Sequence, residues 1–123
     1  MPSNDRNVIA VVDDDDGVRE SLEYLLEVCG HQVAGYASAA EFLAASDLHR
    51  VAGLILDQHM PKLTGLEMLA RLRAQGWCRP VLLVTGSPSA EVSDRAANLG
   101  VRRVLEKPVS DELLFQFVDS LAA

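Results

Sequence analysis

VAGLILDQHMPKLTG, residues 51 to 65, runs from an apolar segment, Leu54-Ile55-Leu56, straight into a carboxylate, Asp57, and then into a stretch punctuated by Pro61 and Gly65. A short continuous apolar run bounded by turn residues reads as a buried strand, central in a parallel sheet. Asp57 then stands at the carboxyl end of that strand, where open α/β sheets bind their ligands. Taken alone, the same residue equally fits a common task of aspartate, capping or hydrogen-bonding the following turn. The rest of the chain decides between the two.

Upstream, Val8-Ile9-Ala10-Val11-Val12 is a second apolar run, and it ends in four aspartates, Asp13 to Asp16, before Gly17. It reads as another buried strand with carboxylates at its tip. From Val18 the period changes: Val18, Leu22, Leu25, Leu26 and Cys29 fall at helical spacing, and Gly30 ends the helix. Gln32 to Tyr36 is a weaker strand, and Ser38 is placed to cap a short helix carrying Phe42 and Leu43. Downstream of Asp57, Thr64 caps a helix bearing Leu66, Leu69 and Leu72 that stops at Gly76. Pro80 to Val84 is a buried strand delivering Thr85, followed by a weakly apolar helix from about Ser89 to Leu99, expected to be the least firmly packed. Val101 to Leu105 forms a fifth strand delivering Glu106-Lys107-Pro108, and Asp111 to Leu121 closes the chain as a helix with Leu114, Phe117, Val118 and Leu121 at helical spacing.

Five rounds of strand and helix imply an α/β fold: a five-stranded parallel sheet with right-handed crossovers and helices on both faces. In the flavodoxin-like order 2-1-3-4-5, the strand tips carrying Asp13/Asp14 and Asp57 lie side by side.

At 123 residues the chain is read as a single domain, residues 1–123, with a polar leader over about residues 1–7. Hydrophobic residues at 49% and charged residues at 24% describe a globular protein rather than a disordered one. A net charge of −7 argues against nonspecific nucleic-acid binding by this domain. Cys29 and Cys78 lack metal-ligand spacing and are read as reduced structural residues of a cytoplasmic protein. No apolar run has the length of a membrane span, and the start MPSNDRN lacks the apolar core of a signal peptide.

Acid, acid and hydroxyl thus meet at one sheet edge, joined by Lys107 from a fourth strand. Crowded carboxylates at Asp13, Asp14 and Asp57 repel, and a divalent cation relieves that conflict. Magnesium suits one or two carboxylates, retained waters and a substrate phosphate in an open strand-tip site. Asp15 and Asp16 are instead assigned to the helix dipole, which favours acids in a first turn. Lys107 is a point charge suited to a phosphoryl oxygen or a carboxylate partner.

In the motifs VVDDDD, LILDQHMPKLTG, LLVTG and LEKP, in this order and spacing, the chain resembles the receiver domains of two-component response regulators, the CheY-like fold. The resemblance covers Val8 to Leu121 and is nearest to receivers joined to a C-terminal helix-turn-helix. It implies that Asp57 is the phospho-acceptor, with a sensor histidine kinase or phosphotransfer protein as donor and Mg²⁺ as cofactor. It implies direct ligation of the metal by Asp14, Asp57 and the backbone carbonyl of His59, with Asp13 acting through water. Thr85 would hydrogen-bond the phosphoryl group and Lys107 would pair with it. Output would pass through the face of the fourth helix, fifth strand and last helix, to an unnamed effector or a second copy. The domain is accordingly expected to bind neither nucleic acid nor membrane, and to act not as an enzyme but as an acceptor that assists its own phosphorylation and dephosphorylation.

The family's switch carries an aromatic ring three residues before Lys107, where this chain has Val104. His59 and Ser87, each two residues past a site residue, stand where the family tunes phosphoryl lifetime. His31 and His49 are read as loop residues, Trp77 as packing, and Arg102 and Arg103 as solvated or paired with Asp94 or Asp119 across a dimer face. Two other readings compete. One is a receiver that binds partners without phosphorylation, for which Val104 leaves room. The other is a magnesium-dependent phosphatase with an aspartyl nucleophile, which calls for Asp-x-Asp where this chain has Asp57-Gln58-His59.

Overall fold

A computed structural model describes residues 7–121. Strands β1 (Val8–Val12), β2 (Gln32–Tyr36), β3 (Val51–Asp57), β4 (Val81–Thr85) and β5 (Arg103–Glu106) alternate with helices α1 (Asp16–Val28), α2 (Ala39–Ala44), α3 (Gly65–Ala74), α4 (Ala90–Asn98) and α5 (Asp111–Ser120). The strands form one parallel sheet in the order β2-β1-β3-β4-β5. All five therefore present their carboxyl ends at the same edge.

The two-residue period of a strand divides the core into two layers. Leu54 and Leu56 of β3 face one side with Val12 and Leu83, covered by Phe42 of α2, Leu66, Leu69 and Leu72 of α3 and Ala96 of α4. Ile55 faces the other with Val11, Leu82 and Val84, covered by Leu26 of α1 and Leu114, Phe117 and Val118 of α5. β3 is buried along nearly its whole length, as its unbroken apolar run requires.

The helix starts follow from their caps. Ser38, Thr64 and Ser89 each accept a hydrogen bond from the backbone N–H three residues on, and Thr64 with Glu67 completes a reciprocal capping box. Ser110 does the same for α5. Asp15, assigned from sequence to the helix dipole alone, is the N-cap of α1: its carboxylate accepts from Val18 N–H at 3.0 Å, so the helix begins at Asp16 rather than Val18. α1, α3 and α4 stop at Gly30, Gly76 and Gly100, all at positive φ.

Three further expectations shift. β5 begins at Arg103 instead of Val101, because Val101 N–H closes the end of α4 on Ala96 O and the sheet pairing starts with Arg102 N–H on Val81 O. His49 sits in a 3₁₀ turn, Leu48–Arg50, not in a loop. α4 does bury only Ala96, but α1 likewise buries only Leu26. Trp77 is a packing residue, as read: its ring meets Phe42 edge-on and its indole N–H donates to Leu48 O at 3.2 Å. Cys29 and Cys78 are free and exposed.

Among the described residues, no helix is long and apolar enough to cross a membrane.

Candidate functional site

The strand tips bring together Asp13 after β1, Asp57 at the end of β3, Thr85 at the end of β4 and Lys107 just past β5. Asp57 and Asp13 are each only 3% exposed, and Thr85 is fully buried. Lys107 Nζ lies 3.2 Å from Asp57 Oδ1 and 3.2 Å from Asp13 Oδ2, one cation shared by two buried carboxylates. Asp14 joins them from the solvent side: Asp13, Asp14 and Asp57 each offer a carboxylate oxygen, all within 4.8 Å of one another.

One lysine does not balance this charge. Burial, and then the neighbouring Asp13, push the Asp57 carboxyl up from 3.8 to about 6, against the opposing pull of Lys107 and of the His59 N–H. Burial works against the Lys107 ammonium, yet Asp57 and Asp13 together hold its pKa above the ordinary lysine value. A cluster of hard oxygen donors with excess negative charge is the donor set that magnesium prefers. The residues present therefore fit a divalent cation.

Local folding sets each side chain. One residue past the end of β3, Gln58 N–H donates to Val84 O. The buried Gln58 side chain accepts from Leu66 N–H at 2.9 Å, and its carbonyl from Gly65 N–H at 3.0 Å, so α3 is clamped to the strand tip. Gly65 is required there: a Cβ at this position would lie 2.4 Å from Asp57 O. The turn before it is tight, with Leu63 N–H donating to Pro61 O and Lys62 held at φ 74°.

Thr85 is held from two directions. Its Oγ1 accepts from Ser87 N–H at 3.0 Å and shares a 2.8 Å hydrogen bond with His59 Nε2. His59 thus touches Thr85 through its ring and Asp57 through its backbone N–H, at 3.4 Å. Asp13 is pinned as well: its N–H donates to Tyr36 O, its Oδ1 accepts from Asp15 N–H at 2.9 Å, and its carbonyl accepts from Arg19 Nη1 at 2.8 Å. Val104 is half-buried and packs against the Leu54/Leu83 side of the core. Arg102 donates to Ser120 Oγ at 2.9 Å within the same chain.

Sequence reading missed Gln58, Gly65, Lys62 and Arg19. Only Gly65 left a signal, a glycine at the first position of a capped helix.

A sequence model described as the response regulator receiver domain matches residues 9–119. The chain belongs to that family. It is 39% identical over 110 residues to the transcriptional regulatory protein FixJ of Azorhizobium caulinodans, covering 89% of this chain and 52% of the relative. Response regulator MprA of Mycobacterium avium is 41% identical over 109 residues, covering 86% of this chain and 47% of the relative. The chain thus spans about half the length of the curated relatives it matches. A crystal structure of a response regulator receiver protein from Pseudomonas putida superposes with a TM-score of 0.88 at 28% identity, covering 98% and 99% of the two chains.

Proposed function

We propose that residues 1–123 act as one phosphorylation-switched signalling receiver in which Asp57 accepts a phosphoryl group from a sensor histidine kinase, a phosphotransfer protein or a small acyl phosphate. The observation that carries this reading is Lys107 Nζ at 3.2 Å from both Asp57 and Asp13, beside the buried hydroxyl of Thr85. An Asp57 oxygen attacks phosphorus in line, forming a P–O bond while the donor's P–N or acyl P–O bond breaks and its electron pair leaves with the donor. Lys107 balances charge on the transferred group, and Thr85 turns its hydroxyl to a phosphoryl oxygen. Asp14, Asp57 and the His59 carbonyl would hold Mg²⁺, with Asp13 acting through water; the ion, when bound, would supply positive charge against the phosphoryl oxygens.

Output follows from Thr85. Its movement toward the phosphoryl group withdraws it from His59 and disturbs the segment through Ser87 into α4. Val104, half-buried on β5, takes the place of an aromatic ring and fills the vacated volume, so the change is a population shift of the α4, β5 and α5 face. That face contacts a downstream effector or a second copy in the cytoplasm. The net charge of −7 supports a protein rather than a nucleic acid as the partner of this domain.

The test is intact-protein mass after incubation with acetyl phosphate and Mg²⁺. The wild type is expected to gain one phosphoryl group, about 80 Da, and Asp57→Asn none. An equal gain in Asp57→Asn would overturn the assignment.

A further inference from the structure

We propose that Arg19 is a positioning residue for the cation site, placing Asp14 through the peptide group that Asp13 and Asp14 share. The proposal rests on the magnesium reading above.

Arg19 lies in the first turns of α1, with its side chain only 13% exposed. Its Nη1 donates to Asp13 O at 2.8 Å, its Nη2 to Asp16 Oδ1 at 2.6 Å, and its Nε lies 3.7 Å from Glu23 Oε2. The Asp16 arm is weak, because that carboxylate is 77% exposed and screened by solvent. The arm that matters is the bond to the Asp13 carbonyl. A peptide group is planar, so holding Asp13 O also places the Asp14 N–H and Cα, the point from which the Asp14 side chain departs. Asp13 itself is already held by Tyr36 O, Asp15 N–H and Lys107. Asp14 is exposed, and its place among the three carboxylates depends on the backbone.

The test separates positioning from charge. Removing a cation beside an acidic cluster should tighten Mg²⁺ binding if Arg19 acts only through its charge. Positioning predicts the opposite. Calorimetric Mg²⁺ titration of Arg19→Met should show binding weakened on the order of tenfold, with Arg19→Lys also weakened, since a lysine cannot reproduce the guanidinium fork. Melting of the metal-free variants checks that each is folded. Unchanged or tighter binding in Arg19→Met overturns the proposal. If the wild type shows no saturable binding that Asp14→Ala abolishes, the magnesium reading fails and the positioning role with it.

Discussion

His59 Nε2 and Thr85 Oγ1 share a 2.8 Å hydrogen bond across the tips of β3 and β4. Thr85 is fully buried, and its hydroxyl oxygen also accepts from Ser87 N–H. With Nε2 as the acceptor of that bond, the hydroxyl proton is already engaged, and the imidazole competes for it with the phosphoryl group proposed at Asp57.

Releasing that competition has a measurable consequence. A net hydrogen bond is worth about 0.5–1.5 kcal/mol, and His59 is exposed enough for water to take its place. His59→Ala should bind beryllium fluoride, a phosphoryl mimic, about two- to tenfold more tightly in the presence of Mg²⁺. Weaker or equal binding would show that the histidine does not hold Thr85 back.

The raised Asp57 carboxyl predicts an unusual pH dependence. Its pKa is about 6 in the folded chain against 3.8 ordinarily, so between those values the folded state holds more protons than the unfolded state. The group's contribution is fully present below about 3.8 and is lost as pH rises through about 6. In metal-free buffer, the stability of Asp57→Asn relative to wild type should grow by roughly 1–3 kcal/mol over that window. Urea midpoints measured from pH 4 to 7 check this; a constant difference would contradict the buried, crowded carboxylate. Mg²⁺ should abolish most of the difference, because it compensates the same charge.

Gly65 admits no side chain. The Cβ of Gly65→Ala would meet the backbone carbonyl of Asp57 at 2.4 Å, and neither α3 nor β3 can move without breaking the Gln58 clamp. The variant should lose about 2 kcal/mol or more of stability and weaken Mg²⁺ binding with it. An unchanged denaturant midpoint would mean that α3 is free to slide.

Lys62 presents the reverse case. It is exposed and sits at φ 74°, a conformation that costs an L-residue about 1 kcal/mol. Lys62→Gly should raise the melting temperature by a few degrees, after part of the gain is offset by a more flexible unfolded chain. A lower melting temperature would show that the lysine side chain contributes more than its backbone costs.

Much of this architecture was legible from residues alone. The bounds of β1 and β2 came from apolar runs ended by turn residues, and the starts of α2, α3 and α4 from Ser38, Thr64 and Ser89. The meeting of Asp13, Asp57, Thr85 and Lys107 was legible for a topological reason. A parallel sheet sends every strand's carboxyl end to one edge, so residues distant in sequence converge once the strand order is known. What was not legible depends on side chains bonding to backbone atoms of other segments. Arg19 on the Asp13 carbonyl, Gln58 on the Leu66 N–H and His59 on Thr85 leave no periodic trace. The start of β5 was misread because Val101 looks like a strand residue by propensity, while its N–H is taken by the end of α4.

The central claim is that Asp57, rather than Asp13 or Asp14 beside it, receives the phosphoryl group. Borohydride reduces an aspartyl phosphate to homoserine, so reduction after treatment with acetyl phosphate and Mg²⁺, followed by peptide mass mapping, locates the acceptor. The account predicts homoserine at position 57 and at neither 13 nor 14. Homoserine at either of those positions, or none in protein that has gained a phosphoryl group, would contradict it.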